Sequence, residues 1–137
     1  MEGLCHSMLD LQQLPDCDKC WLSPKHCIQT KQVVLPTGPY STMMIVGEAP
    51  GADENNIGQP FVGRSGRLLD RLLEKAGINR KTVYITNVVK CRPYQTGPSG
   101  RIANRTPTRQ EIDICKGWLL QEIEECKPKV IVTLGKN

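Results

Sequence analysis

The chain has 137 residues, 39% of them hydrophobic but only 4% aromatic, with a formal net charge of +4 and seven cysteines. This length suits one domain with an aliphatic core. No stretch approaches the roughly 18 apolar residues of a membrane span, and the N-terminus lacks the basic start and apolar block of a secretory signal. The expectation is a cytoplasmic monomer with no membrane partner, whose mild positive charge permits nucleic acid without demanding it. In a reducing compartment seven cysteines point to ligation rather than to disulfides.

Residues 1–14 carry an apolar spacing (Leu4, Met8, Leu11) that predicts a short helix. A Cys-x-x-Cys follows at Cys17 and Cys20 in a turn-rich context, with His26 and Cys27 close behind. Two thiolates at this spacing fit zinc, an iron–sulfur cluster or a redox dithiol. Because the motif precedes the first convincing strand, ligation is the favoured reading, and residues 1–30 form a metal-binding segment of a single 1–137 domain. Residues 31–42 read as a connecting or edge segment.

Met43–Val46 is the first core strand, and the twenty residues from Gly47 to Gly66, GEAPGADENNIGQPFVGRSG, form a long polar turn after it. Ligands in open parallel α/β sheets collect outside the carboxyl ends of strands. Five glycines in this turn allow close backbone approach, and Glu48 and Glu54 hang over the same space. Phe61, the only phenylalanine of the chain, sits among small residues. A loop of this length inside a compact domain is functional more often than not.

Leu68, Leu69, Leu72, Leu73 and Ala76 mark one face of a helix over Ser65–Ala76, which Gly77 terminates. Val83–Thr86 is the second strand, with Asn87 at its carboxyl end. A second long loop runs from Cys91-Arg92-Pro93 to Thr106-Pro107. Thr108 and Glu111 then make a capping box, and Ile112, Cys115, Leu119, Ile123 and Cys126 share the apolar side of the following helix. Pro128 ends it, and the unbroken apolar run Val130–Leu134 predicts a buried third strand. The fold expected is a three-layer α/β/α arrangement around a central, mainly parallel sheet. A βα turn with no helix after it further suggests a domain incomplete at its C-terminus.

The motifs GEAPGADE, GQPFVGRSGRLLD, YITNVVKCRP, NRTPT and PKVIVTLG, in this order, resemble the family-4 uracil-DNA glycosylases, the iron–sulfur members of that superfamily. The resemblance covers Cys17 to Gly135. It implies a DNA-repair hydrolase that cuts the N-glycosidic bond of uracil in single- or double-stranded DNA and leaves an abasic site. It further implies a [4Fe–4S] cluster on Cys17, Cys20, Cys91 and Cys115, with Cys27 the rival ligand and zinc the alternative metal. Cys5, Cys126, His6 and His26 are then bystanders.

In this family reading Phe61 stacks on the flipped base and Asn87 reads its edge, the two facing each other across a slot one base thick. Gly47, Glu48 and Ala49 line the pocket, and Asn104 is a further pocket residue. Glu54 positions the hydrolytic water, with Glu48 its rival. The family's C-terminal His-Pro-Ser-type segment has no counterpart up to Asn137. The second loop is long, as in relatives that trap themselves on DNA through a loop histidine, but it contains no histidine, so trapping is not expected. Arg92, Arg101, Arg105 and Arg109 are candidates for the phosphate backbone. The alternatives are a catalytically weak DNA- or partner-binding module with the same fold and cluster, and a zinc-stabilised domain with no DNA role.

Overall fold

The computed structural model describes residues 16–135. The helix expected within 1–14, with Cys5 and His6, lies outside them. Among the described residues no helix is long and apolar enough to cross a membrane.

Three parallel strands form the central sheet in the order β2 (Tyr84–Asn87), β1 (Met43–Gly47), β5 (Val130–Thr133). The register aligns Met44 with Tyr84, Gly47 with Asn87, and Val46 with Thr133. Gly47 and Asn87 therefore end their strands side by side. Thr37 makes an antiparallel bridge to Ile85, so the 31–42 segment does serve as an edge to the sheet.

Alternation along β1 sorts its side chains to two faces. Ile45 turns to helix α2 (Arg64–Lys75) and packs with Leu69, Leu73, Val83 and Ile85. Met44 and Val46 turn the other way, to Tyr84 and to Leu119, Ile123 and Cys126 on helix α3 (Arg109–Cys126). The sheet thus lies between two helices, which is the three-layer arrangement. Helix α2 stops at Gly77, whose N–H bonds the Glu74 carbonyl and whose φ of 71° turns the chain so that the Ile78 N–H bonds back to Leu73. A third group, Leu22, Val89, Cys115 and Trp118, packs the N-terminal segment against α3.

Four expectations change. The long polar turn contains a short helix, α1 (Ala52–Ile57), held by the capping carboxylate of Glu54. The second loop folds into a hairpin of β3 (Tyr94–Thr96) and β4 (Ile102–Asn104). Strand β5 is not buried: Val130, Ile131 and Val132 are 51%, 42% and 36% exposed. Among the described residues it has only β1 as a strand neighbour, and the core clusters on β1 and β2 include none of its residues. Finally, the buried stripe of α3 is Glu111, Cys115, Trp118, Glu122 and Cys126, while Leu119 and Ile123 are only partly buried. Two carboxylates can lie in that stripe because each meets a cation, Arg105 at 2.6 Å from Glu111 and Lys90 at 2.7 Å from Glu122.

Candidate functional site

A cleft of about 530 Å³ opens at the carboxyl ends of β1 and β2. Its walls include Glu48, Ala49, Glu54, Phe61, Asn87 and Asn104. Gly47 forms the point where the first two strands release into it. A Cβ placed at Gly47 would collide with the Asn87 side-chain oxygen and with the edge of the Phe61 ring. Ring and amide are therefore neighbours over a bare Cα, not walls a base apart as the sequence suggested. A planar ligand lying on the ring would present its edge to the amide beside it. Asn87 itself is 3% exposed, so its carboxamide is largely shielded from bulk water.

Phe61 occupies the left-handed region with φ of 54°, which a bulky side chain adopts only when its surroundings enforce it. Those surroundings are visible. The Arg80 guanidinium donates to the Pro60 carbonyl at 2.8 Å, and the first turn of α2 lies so close that a Cβ at Gly66 would overlap the Phe61 carbonyl. On the other side, Glu54 accepts from the backbone N–H groups of Val62 (2.8 Å), Gly63 (2.7 Å) and Gly51 (3.0 Å). An ionised carboxylate has about four acceptor positions, so three are taken by the loop. Glu54 thereby joins the two ends of the polar turn around Phe61. This bonding favours a structural duty for Glu54 over the aiming of a water.

Glu54→Gln is accordingly expected to lower stability by about 1–3 kcal/mol, because an amide N–H₂ must then face a backbone donor. Urea unfolding measures this, and an unchanged midpoint would remove Glu54 from the loop-holding role. Glu48 lines the same cleft from the end of β1, beside the turn at Gly135.

Asn104 reaches the cleft from β4 of the hairpin, and Arg92 Nε donates to its side-chain oxygen at 2.7 Å. The sequence makes Arg92 a phosphate candidate, since no periodicity signals a contact made across a hairpin. Arg105 is likewise committed, pairing with both oxygens of Glu111 at 2.6 and 2.9 Å. Arg101 at the hairpin and Arg109 at the start of α3 remain exposed.

The second cavity lies on the other side of the 87–91 turn. It measures about 400 Å³, and Cys17, Cys20, Cys91 and Cys115 all line it. Cys17 starts a short 3₁₀ turn, Cys17–Lys19, and Cys20 caps its end. Cys91 follows β2, and Cys115 comes from the buried stripe of α3. Cys27 is directed elsewhere, its Sγ donating to the Tyr94 hydroxyl at 3.4 Å, and Cys126 belongs to the core under the sheet. Burial pushes the Cys115 thiol up to about 11, although the Lys90 backbone N–H at 3.3 Å from its sulfur works against that. Burial also raises Cys91 and Cys20, with the neighbouring cysteines adding to the effect.

Among the described residues no three His, Cys, Asp or Glu side chains are close enough to hold one metal ion. The four thiols lining one cavity are a donor set of the kind that zinc or an iron–sulfur cluster uses. Trp118 lines the same cavity and carries a buried indole N–H that has no partner, a donor available to an acceptor-rich occupant.

The sequence model of the uracil DNA glycosylase superfamily matches residues 36–137, which is most of the chain. The chain belongs to the uracil DNA glycosylase superfamily. Its similarity to curated members is substantial. It is 44% identical over 131 residues to a type-4 uracil-DNA glycosylase of Pyrobaculum aerophilum, covering 93% of this chain and 61% of that protein. It is 47% identical over 117 residues to the type-4 enzyme of Thermotoga maritima, covering 85% and 57%. A type-4 enzyme of Archaeoglobus fulgidus is 40% identical over 126 residues, covering 92% and 58%. The chain therefore spans less than two thirds of the length of these curated relatives. Residues 36–137 of this superfamily member include Gly47, Phe61, Asn87, Asn104, Cys91 and Cys115, while Cys17 and Cys20 precede that span.

Proposed function

We propose that the chain carries the base-binding site of a DNA-repair glycosylase, one that hydrolyses the N-glycosidic bond of uracil in DNA and leaves an abasic site. The observation that carries this reading is the convergence of the Phe61 ring and the Asn87 carboxamide over Gly47. An enzyme acting on a base must take it out of the stack and replace both its stacking and its pairing partners. Phe61 replaces the first and Asn87 the second, its amide donating to O4 and accepting from N3–H of uracil. The backbone of Gly47–Ala49 borders the same space at the end of β1. Glu48 and Glu54 both line the cleft as carboxylates that could orient a water toward the sugar, and Glu54 already accepts from three backbone donors. Asn104, steadied by Arg92, closes the cleft from the hairpin side.

In the same proposal Cys17, Cys20, Cys91 and Cys115 hold a [4Fe–4S] cluster. Such a cluster, when bound, supplies a cross-link between the N-terminal segment, the end of β2 and helix α3. Uracil-containing DNA is the partner, and the exposed Arg101 and Arg109 are candidates to meet its phosphates.

Two measurements test the reading. Incubation with a single-stranded uracil oligonucleotide should yield alkali-labile abasic sites, whereas binding without release would make the chain a DNA-binding module of the same fold. Metal analysis should find iron and acid-labile sulfide together; zinc alone would sink the cluster assignment.

Phe61→Ala is expected to weaken transition-state binding by about 1–3 kcal/mol, the usual worth of a base–aromatic stack. The value is read from kcat/KM on uracil DNA. No change would show that the base stacks elsewhere.

A further inference from the structure

We infer that the buried ion pair Lys90–Glu122 is a positioning device for Asn87, which rests on reading the cleft as a uracil site. Both side chains are shut away from water, 1% and 0% exposed. The Lys90 ammonium has three N–H donors, and all three are used. One goes to Glu122 Oε2 at 2.7 Å, one to Thr86 Oγ1 at 2.7 Å, and the third to the main-chain carbonyl of Asn87. The other Glu122 oxygen accepts from the Tyr84 and Thr86 hydroxyls, each at 2.8 Å.

The network thus sits directly behind the residue proposed to read the base. Beyond Asn87 the ladder to β1 continues only through Val88 and Val89, whose N–H groups bond the carbonyls of Gly47 and Glu48. The Asn87 carbonyl is turned the other way, and Lys90 curls back over its own turn to hold it. With both faces of the Asn87 peptide secured, the direction of its Cα–Cβ bond is set. Stability is a weak account of the pair, because apolar or neutral groups of similar size commonly do as well in buried positions. Neither side chain lines the cleft, so toward the base the pair acts through Asn87, while Lys90 also borders the cysteine cavity.

The test compares two neutral double variants that keep the network's volume. Lys90→Met with Glu122→Gln removes the donor to Asn87 while the glutamine still accepts from Tyr84 and Thr86. Lys90→Gln with Glu122→Gln keeps an N–H donor on position 90. The methionine variant is expected to release uracil from single-stranded DNA about 10–100-fold more slowly, as a slightly misplaced reacting group does. Its Asn87 side-chain amide resonances should broaden, and its melting temperature should stay near that of the wild type. The glutamine variant should recover most of the rate and the sharp resonances.

Rates and Asn87 resonances unchanged in the methionine variant would overturn the inference, as would two variants whose losses follow melting temperature alone. If the methionine variant fails to fold, Thr86→Val replaces it. That isosteric change removes one of the ammonium's three acceptors, and unchanged Asn87 resonances there would equally overturn the inference. A wild-type chain that neither binds nor cleaves uracil DNA refutes the uracil reading instead, and the Asn87 resonances still decide whether Lys90 holds that amide.

Discussion

Replacing Asn87 with aspartate is expected to slow uracil release by about 10²–10³-fold, the cost of losing one well-placed donor where charge develops in the transition state. The departing base becomes an anion, and a carboxylate at position 87 cannot donate to O4 and repels it. The environment magnifies the change. Asn87 is 3% exposed and its side-chain oxygen lies against Gly47 and the Phe61 ring, so neither water nor a large rearrangement can relieve the new charge. The same carboxylate can accept from the exocyclic amine of cytosine, so discrimination between uracil and cytosine should narrow as the uracil rate falls. Single-turnover kinetics on matched single-stranded oligonucleotides measure both quantities without the cost of flipping a base from a duplex. A variant with wild-type preference for uracil would take Asn87 out of the reading role.

The second large effect is expected from Cys91→Ser, which should abolish retention of iron and release the N-terminal segment from the sheet. The four cysteines arrive from three separate elements, the turn at Cys17–Lys19, the end of β2 and the middle of α3. Their shared cavity is backed by the small cluster of Leu22, Val89, Cys115 and Trp118. Such a cluster is too small to order a segment strongly, whereas a four-thiolate metal site binds with free energies on the order of 10 kcal/mol that count toward folding. Hydrogen exchange should therefore quicken over residues 16–30 while the Met44, Ile45 and Tyr84 core stays protected. Cys27→Ser and Cys126→Ser should keep their iron, since neither residue lines the cavity. Loss of iron in Cys27→Ser with retention in Cys115→Ser would exchange those two residues in the ligand set.

Much of this was legible in the chain because it depended on neighbours in sequence. The apolar periods over 43–46, 68–76 and 83–86 specify strand, helix and strand, since a sheet residue alternates faces and a helical one returns every three to four positions. Gly77 and the Thr108–Glu111 capping box mark helix ends through local backbone chemistry alone. The placement of Asn87 and Gly47 at strand ends follows from the same local signals, and so does their candidacy as site residues.

Tertiary structure decided what depends on residues far apart in sequence. No local pattern shows that Glu54 binds backbone donors eight and nine residues onward, and its fourfold acceptor capacity is as compatible with a water as with a loop. The apolar run at Val130–Leu134 predicts burial from composition, but burial belongs to a strand's neighbours, and among the described residues β5 has one. The buried Glu111 and Glu122 break the apolar pattern of α3 because each meets a cation from outside the helix, Arg105 from the stretch just before it and Lys90 from the turn after β2, 32 residues away. A carboxylate reads as solvent-facing in sequence whenever the cation that neutralises it cannot be seen, and the only thing that reveals the cation is the fold.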